Sequence, residues 1–235
     1  MSEEAVRHPF GELTFDHALV RATGDRRGAG VILFPTVMGV SPLELGFARD
    51  LAALGYDAMV ADFYGRRFSS EERPQAVEAM NALKADRADL RERVRAILAA
   101  AIDATGLTEG RMAATGYCFG GMCALDLARS GVGIAGVAAF HGLFDPPGLD
   151  PRPIAAKVIA YHGWDDPLAP PDKVVAFAQE MTDAGADWQL HAFGHTAHGF
   201  TNPGATGAIA GVKYQPTAAD RSWRGLIDFL DELFG

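Results

Sequence analysis

The sequence predicts a single α/β domain with a mostly parallel central sheet and helices on both faces of the sheet. Short apolar stretches alternate with longer stretches of helical periodicity along most of the 235 residues, a pattern typical of a parallel sheet covered on both sides. No repeat, low-complexity tract or Ser/Gly linker divides the chain, and this length fits one α/β unit. We therefore assign residues 1–235 to one domain.

Strands and helices follow one another in a regular order. The expected elements of the first half are an early edge strand Gly11–Val20, a buried strand Val31–Phe34, a helix over 43–54, a strand Asp57–Ala61 and a helical stretch over 75–103 that breaks near 84–89. Those of the second half are a strand Arg111–Gly116, a helix from 121 to about 130, strands Ile134–Phe140 and Lys157–His162, a helix Asp172–Gly185, a strand Asp187–Phe193 and a closing helix over 218–234.

Composition excludes several classes of partner. The formal net charge is −9 and no run of Lys or Arg is present, so nucleic acid is not an expected partner. The longest gently apolar stretch, Gly131–Phe140, is far too short to span a membrane. The first sixteen residues are acidic and do not resemble a signal peptide. Two cysteines do not suggest a disulfide framework, so we expect a reduced cytoplasmic protein.

The most informative stretch is Gly116-Tyr117-Cys118-Phe119-Gly120-Gly121. It has a Gly-x-nucleophile-x-Gly pattern between a predicted strand and a predicted helix, where a tight turn exposes the central side chain. The helix N-terminus favours the Cys118 thiolate, which is the reactive form. The amide of Phe119 would be one oxyanion donor, and that of Val37, after the early central strand, the other. The alternative for Cys118 is a small buried side chain in a packing turn, and packing is the expected role of Cys123.

An acyl-enzyme mechanism needs a base for the thiol and an acid that orients the base. Where a nucleophile follows a strand in this way, the acid and then the histidine follow later strands. Two adjacent aspartates compete for the acid, and we favour Asp166, just before a proline, over Asp165. Among the histidines we favour His198 over His195. Turn chemistry alone also explains aspartates at a strand end.

Further side chains at strand ends are candidates for the pocket. His141 and His162 each follow a strand, at the sheet edge where α/β proteins bind ligands, although a structural role suits them equally. Tyr64 follows the strand Asp57–Ala61 and could reach the pocket. His195-x-x-His198 could suggest a metal pair, but no Glu or Cys in the same loop would complete the site. We therefore expect no metal at this loop.

Taken in order, four motifs resemble the dienelactone hydrolase family over nearly the whole chain. They are Gly-Tyr-Cys-Phe-Gly-Gly (116–121), Phe-His-Gly (140–142), His-Gly-x-x-Asp-Pro (162–167) and His-Gly-Phe-Thr-Asn-Pro (198–203). The resemblance implies an α/β-hydrolase fold, no cofactor and a Cys-His-Asp triad, which motif by motif is Cys118, His198 and Asp166. The expected substrate is a small ester or lactone.

Two positions differ from the best-known family members. Those members carry a glutamate that contacts the nucleophilic cysteine, and the matching residue here is Thr36. They also carry an arginine that holds the substrate carboxylate, and the matching residue is Asn202. Both differences weaken the case for dienelactone itself as the substrate. Two other functions stay open: a small-molecule-binding protein without turnover, and a thiol redox role for Cys118 and Cys123. Oligomeric state is not predicted.

Overall fold

The structure is a computed structural model that describes residues 3–235. Its strands are β1 (Glu3–Phe10), β2 (Leu13–Val20), β3 (Gly30–Phe34), β4 (Asp57–Val60), β5 (Met112–Tyr117), β6 (Gly136–Phe140), β7 (Lys157–Gly163) and β8 (Trp188–Phe193). Its helices are α1 (Pro42–Ala53), α2 (Arg73–Ala85), α3 (Arg87–Thr105), α4 (Phe119–Arg129), α5 (Pro171–Asp183) and α6 (Pro216–Phe234). The predicted α/β fold with a mostly parallel sheet is therefore confirmed.

All eight strands belong to one sheet, in the order β1-β2-β4-β3-β5-β6-β7-β8. β1 pairs with β2 and β2 with β4 in antiparallel fashion, whereas every pair from β4 to β8 is parallel. The chain runs from β3 outward to β4 and then returns to the other side of β3 as β5. Such a reversal leaves a crevice at the carboxyl ends of β3 and β5, where open α/β sheets bind ligands.

Helices cover both faces of the sheet. Along β3, Val31 and Leu33 pack into the core beneath α1 and α6, whereas Ile32 and Phe34 pack into the core beneath α3, α4 and α5. Successive side chains of a strand point to opposite faces, so a strand buried on both faces reads as a continuous apolar run. This explains why β3 is a reliable prediction from the sequence.

The N-terminal edge differs from the sequence-based expectation. The stretch Gly11–Val20 is not an edge strand, because Glu3–Phe10 forms a further strand outside it and pairs with Leu13–Val20 along its whole length. Side chains of this outer strand are exposed or half-buried, so its sequence lacks the apolar signal of the inner strands. The predicted break in the long helical stretch is confirmed, since α2 and α3 meet at Asp86.

Within residues 3–235, no helix combines the length and the apolar character needed to cross a lipid bilayer.

Candidate active site

Cys118 occupies a sharp turn between β5 and α4. Its backbone has φ 58° and ψ −117°, a region that residues other than glycine rarely adopt. The Cys118 N–H donates to the Phe140 carbonyl at 3.0 Å and to Nδ1 of His141 at 3.1 Å, and these two contacts tie the turn to the end of β6. The thiol is partly exposed at the N-terminus of α4.

The glycines on either side of Cys118 allow the turn to close. A Cβ on Gly116 would lie 1.9 Å from the Gly120 carbonyl oxygen, and one on Gly120 would lie 2.1 Å from the carbonyl oxygen of Phe34. Both distances are far below van der Waals contact. The first turn of α4 therefore sits directly against the ends of β3 and β5, and only glycine fits at either position.

His198 and Asp166 form a buried pair near the turn. Nδ1 of His198 donates to Oδ2 of Asp166 at 2.7 Å, and Oδ1 of Asp166 accepts the Leu168 N–H at 2.8 Å. Both residues are almost completely buried. The backbone of His198 is fixed by the 203–213 loop, because its N–H donates to the Gly211 carbonyl and its carbonyl accepts the Lys213 N–H.

The electrostatics of His198 favour an imidazolium. Burial lowers the pKa of His198, but the Cys118 thiolate and the hydrogen bond to Asp166 outweigh burial and raise the pKa to about 10. Nε2 of His198 forms no well-aligned hydrogen bond within residues 3–235, but the interaction of His198 with the Cys118 sulfur contributes to the raised pKa. The pKa of this imidazole therefore depends on the Cys118 sulfur as well as on Asp166.

Two backbone amides near the Cys118 turn lack acceptors within residues 3–235. Neither the Val37 nor the Phe119 N–H has a hydrogen-bond acceptor within residues 3–235. Val37 lies in the loop after β3 and lines the same cavity as Cys118, and Phe119 opens α4 immediately after it. Tyr64, expected as a pocket residue, does not line the cavity. Its hydroxyl instead donates to the Val37 carbonyl at 3.1 Å and so ties down the loop after β3.

Glu44 is a site residue that the sequence analysis missed. Its carboxylate is fully buried. It accepts the Thr36 N–H at 3.1 Å, the Thr36 hydroxyl at 2.8 Å and the hydroxyl of Ser41. Ser-x-x-Glu at a helix start is a capping-box pattern, so the sequence held a signal for a helix terminus. It held none for the contact with Thr36.

His141 is a buried, neutral histidine next to Cys118 and His198. Burial and the neighbouring His198 keep the pKa of His141 well below its usual value. Its Nδ1 accepts from Cys118, so Nε2 carries the proton and donates to the Thr201 hydroxyl at 2.8 Å. The ring also packs edge-on against His198, with centroids 5.0 Å apart. His141 therefore contacts both members of the predicted nucleophile–base pair.

A cavity of about 440 Å³ opens onto these groups. Thr36, Val37, Cys118, His141, His198 and Asn202 all line it, together with an apolar wall and rim formed by Leu43, Phe47, Val77, Met80, Leu168 and Ile209. Arg73, an exposed residue at the start of α2, is the one Lys or Arg in the lining, and no Asp or Glu is found there. Within residues 3–235 its guanidinium forms neither an ion pair nor a hydrogen bond.

The remaining sequence candidates lie outside this cavity. Asp165 and His195 are exposed. His162 is buried, with both ring nitrogens unpartnered within residues 3–235. Cys123 is completely buried in α4, and burial raises the pKa of its thiol well above the usual value. No group of three or more His, Cys, Asp or Glu side chains in the described chain is arranged to hold a metal ion.

A larger cavity, of about 700 Å³, lies between α4, α5 and the 146–152 loop. None of the residues that line the cavity at Cys118 contributes to it. Its buried charges are already paired, because Arg129 forms ion pairs with Asp126 and Glu180.

A mostly parallel sheet with a strained strand-to-helix turn at its centre defines the α/β-hydrolase fold. The chain belongs to the dienelactone hydrolase family, whose model matches residues 15–234. The solved structure m3DLH is 33% identical, with a TM-score of 0.91 and coverage of 100% of this chain and 99% of the other. A dienelactone hydrolase-like promiscuous phosphotriesterase from metagenomic libraries is 30% identical, with a TM-score of 0.86 and the same coverage.

Two further similarities concern part of the chain and the fold. An uncharacterized protein of Caenorhabditis elegans is 34% identical over 151 residues, which cover 62% of this chain and 94% of that protein. A thermophilic esterase of Thermogutta terrifontis shares the fold at 19% identity, with a TM-score of 0.64 and coverage of 99% of this chain and 92% of the other. Membership of the dienelactone hydrolase family makes this chain a hydrolase.

Proposed function

We propose that this protein hydrolyses small carboxylic esters or lactones, with Cys118 as nucleophile, His198 as acid and base, and Asp166 as the residue that orients His198. The single observation that best supports this function is the presence of three features around the turn at Cys118. They are a strained cysteine at a helix N-terminus, an imidazole held by a buried carboxylate, and two amides without acceptors.

The reaction proceeds in two halves. The Cys118 thiolate attacks the carbonyl carbon, and the carbonyl electron pair moves to oxygen, where the amides of Val37 and Phe119 stabilise it. The tetrahedral intermediate collapses to a thioester as the alkoxide leaves and takes the Nε2 proton of His198. His198 then removes a proton from water, the hydroxide attacks the thioester, and the carboxylic acid and the thiolate are released.

The lining of the cavity favours a particular kind of ester. Its wall and rim are apolar and suit a small hydrocarbon group, whereas Arg73 is the one Lys or Arg in its lining. An exposed ion pair contributes up to about 1 kcal/mol, which is roughly fivefold in affinity. We propose that esters with a carboxylate on the side that faces Arg73 are hydrolysed better than matched neutral esters.

A second candidate activity is hydrolysis of phosphotriesters. It is favoured by the relative described as a promiscuous phosphotriesterase, which is 30% identical over the whole of this chain. The same thiolate would attack phosphorus and expel an alkoxide or phenoxide, and water would then release the phosphodiester.

A hydrolysis screen tests these proposals. Purified protein is assayed with short esters in neutral and carboxylate-bearing pairs, thioesters, lactones and a phosphotriester, alongside Cys118→Ala and Cys118→Ser variants. We expect turnover of esters or lactones that Cys118→Ala abolishes. Measurable ligand binding without turnover would instead favour a binding protein. A disulfide between Cys118 and Cys123 after mild oxidation, found by mass spectrometry, would favour the redox role.

A further inference from the structure

The carboxylate of Glu44 has hydrogen-bond partners that differ from those of an ordinary capping-box residue. In an ordinary capping box the glutamate accepts the N–H of the N-cap residue, which here would be Ser41. Glu44 instead accepts the hydroxyl of Ser41 and both donors of Thr36, a residue that lies outside the helix. The Ser41 hydroxyl in turn caps α1 by accepting the Leu43 N–H at 3.2 Å.

Burial of Glu44 is not needed to cap a helix. Glu72 belongs to an ordinary capping box, in which it accepts the Ser69 N–H at 2.9 Å from a partly exposed position. Burying a carboxylate costs several kcal/mol unless donors surround it. Glu44 has three donors and lies at the positive end of α1. Those donors make its burial possible, and two of the three belong to Thr36.

Hydrogen bonds hold the Thr36–Val37 peptide through its own carbonyl and through the polar groups on either side of it. Glu44 binds the N–H and hydroxyl of Thr36, the Thr36 carbonyl accepts the Gly39 N–H at 3.0 Å, and the Val37 carbonyl accepts the Tyr64 hydroxyl. The Val37 N–H belongs to this peptide and has no acceptor within residues 3–235. The contacts therefore fix the direction of one N–H that is left free to bind a ligand.

We propose that Glu44 is a positioning residue that, through Thr36, holds the Val37 amide in the orientation that binds the oxyanion. Glu44 acts on the oxyanion loop and takes no proton from Cys118. The inference rests on the proposed function, because it presupposes that ester hydrolysis passes through an oxyanion at Val37.

Two reactions of the same thiol separate positioning from thiol activation. Acylation by an ester develops negative charge on the carbonyl oxygen and needs the oxyanion donors. Alkylation by iodoacetamide displaces iodide at a saturated carbon and needs only the thiolate. Loss of one oxyanion donor costs about 10²–10³ in kcat, so a misoriented donor should cost roughly 10- to 100-fold.

We expect Glu44→Ala to lower kcat for a short p-nitrophenyl ester roughly 10- to 100-fold with little change in KM. The rate of Cys118 alkylation and its pH profile should stay within about twofold of wild type. Glu44→Gln retains an oxygen that accepts from Thr36 and an amide that donates to Ser41, so it should recover most of the activity. Glu72→Ala, the matched capping-box control, should leave both reactions unchanged.

Other results would overturn the proposal. A parallel fall in alkylation, or a shift in its pH profile, would mean that Glu44 acts on the thiol, and an unchanged kcat would mean that it positions nothing. If Glu44→Ala does not fold, as judged by circular dichroism, the test passes to Thr36→Val, which loses the hydroxyl contact and should show the same selective loss of kcat. Wild-type protein without Cys118-dependent hydrolysis would contradict the proposed function itself, and this is established before any Glu44 variant is assayed.

Discussion

Among single residues of the site, Cys118 has a strained backbone, with φ 58° and ψ −117°. A residue other than glycine with φ near +60° and ψ near −120° is strained by about 1–3 kcal/mol. The cost is offset by the two acceptors of its N–H, the Phe140 carbonyl and His141. The conformation places the sulfur at the N-terminus of α4, where the helix dipole stabilises a thiolate. Strain at this residue therefore accompanies reactivity.

A prediction at this scale concerns the charge on His198. Burial alone would lower the pKa of His198, but Cys118 and the hydrogen bond to Asp166 raise it to about 10. Asp166→Asn removes the carboxylate charge, so the imidazolium should lose its proton at a lower pH. An NMR titration of the His198 ring, assigned with His198→Gln, should show a midpoint more than one pH unit below that of wild type.

Asp165→Asn is the matched control for this titration, because Asp165 is the exposed neighbour of Asp166. The control should titrate as wild type does. A midpoint of His198 that is the same in Asp166→Asn and wild type would show that Asp166 does not support the imidazolium.

At the scale of elements, the contact of α4 with β3 and β5 decides whether the site exists. Gly120→Ala would place a methyl group 2.1 Å from the Phe34 carbonyl oxygen and 2.4 Å from that of Pro35. Both oxygens belong to backbone, so α4 must move away from β3. We expect a loss of more than about 2 kcal/mol in the free energy of unfolding, measured in urea, and loss of hydrolysis.

Gly110→Ala provides the comparison, since nothing lies within 4 Å of a Cβ at Gly110. This variant should keep wild-type stability to within about 0.5 kcal/mol. Equal stability of Gly120→Ala and Gly110→Ala would mean that α4 does not need its close approach to β3.

Sequence reasoning found the elements whose patterns are local. The turn at Cys118 and the buried strands before it have apolar runs or glycine spacings that are readable in isolation. The outer strand β1 was missed because its exposed, charged side chains carry no such pattern. Tyr64 was expected in the pocket because it follows a strand, but its direction is set by contact with the β3 loop. Glu44 was missed because its role depends on Thr36, which lies outside its helix.

At the scale of the whole molecule, buried neutral histidines make the fold sensitive to acid. His17 is fully buried between β1 and β4, where its Nδ1 accepts the Asp62 N–H at 2.9 Å. Burial, with smaller effects from His8 and Arg67, lowers its pKa to about 3. Above pH 6.5 the His17 ring is neutral in both the folded and the unfolded protein. Between pH 6.5 and 3 the unfolded chain takes up a proton that the folded chain does not, so stability falls as the pH falls.

The corresponding prediction compares His17→Gln with wild type. The glutamine oxygen can accept the same N–H but does not titrate. Between pH 7 and pH 5, wild type should lose about 2 kcal/mol more of its free energy of unfolding than the variant does. Urea unfolding at the two pH values measures this difference. Equal losses in the two proteins would show that His17 is not the acid-sensitive group.

The strand order of the sheet explains why the proposed site residues lie at one edge of the sheet. β3 and β5 are neighbours on either side of the reversal in chain direction, so the Val37 loop and the Cys118 turn meet at their carboxyl ends. Asp166 and His198 follow β7 and β8, and the 203–213 loop brings His198 back toward Cys118. The predicted site residues therefore come from loops at the carboxyl ends of four parallel strands.

Trapping the acyl-enzyme tests most directly whether Cys118 is the nucleophile. The protein is mixed with a slowly hydrolysed ester, quenched in acid within seconds and digested, and the peptides are analysed by mass spectrometry. We predict an acyl group on the peptide that contains Cys118, removable by neutral hydroxylamine as a thioester and absent in Cys118→Ala. Undiminished hydrolysis by Cys118→Ala, or an acyl group on another residue that forms and decays at the turnover rate, would show that Cys118 is not the nucleophile.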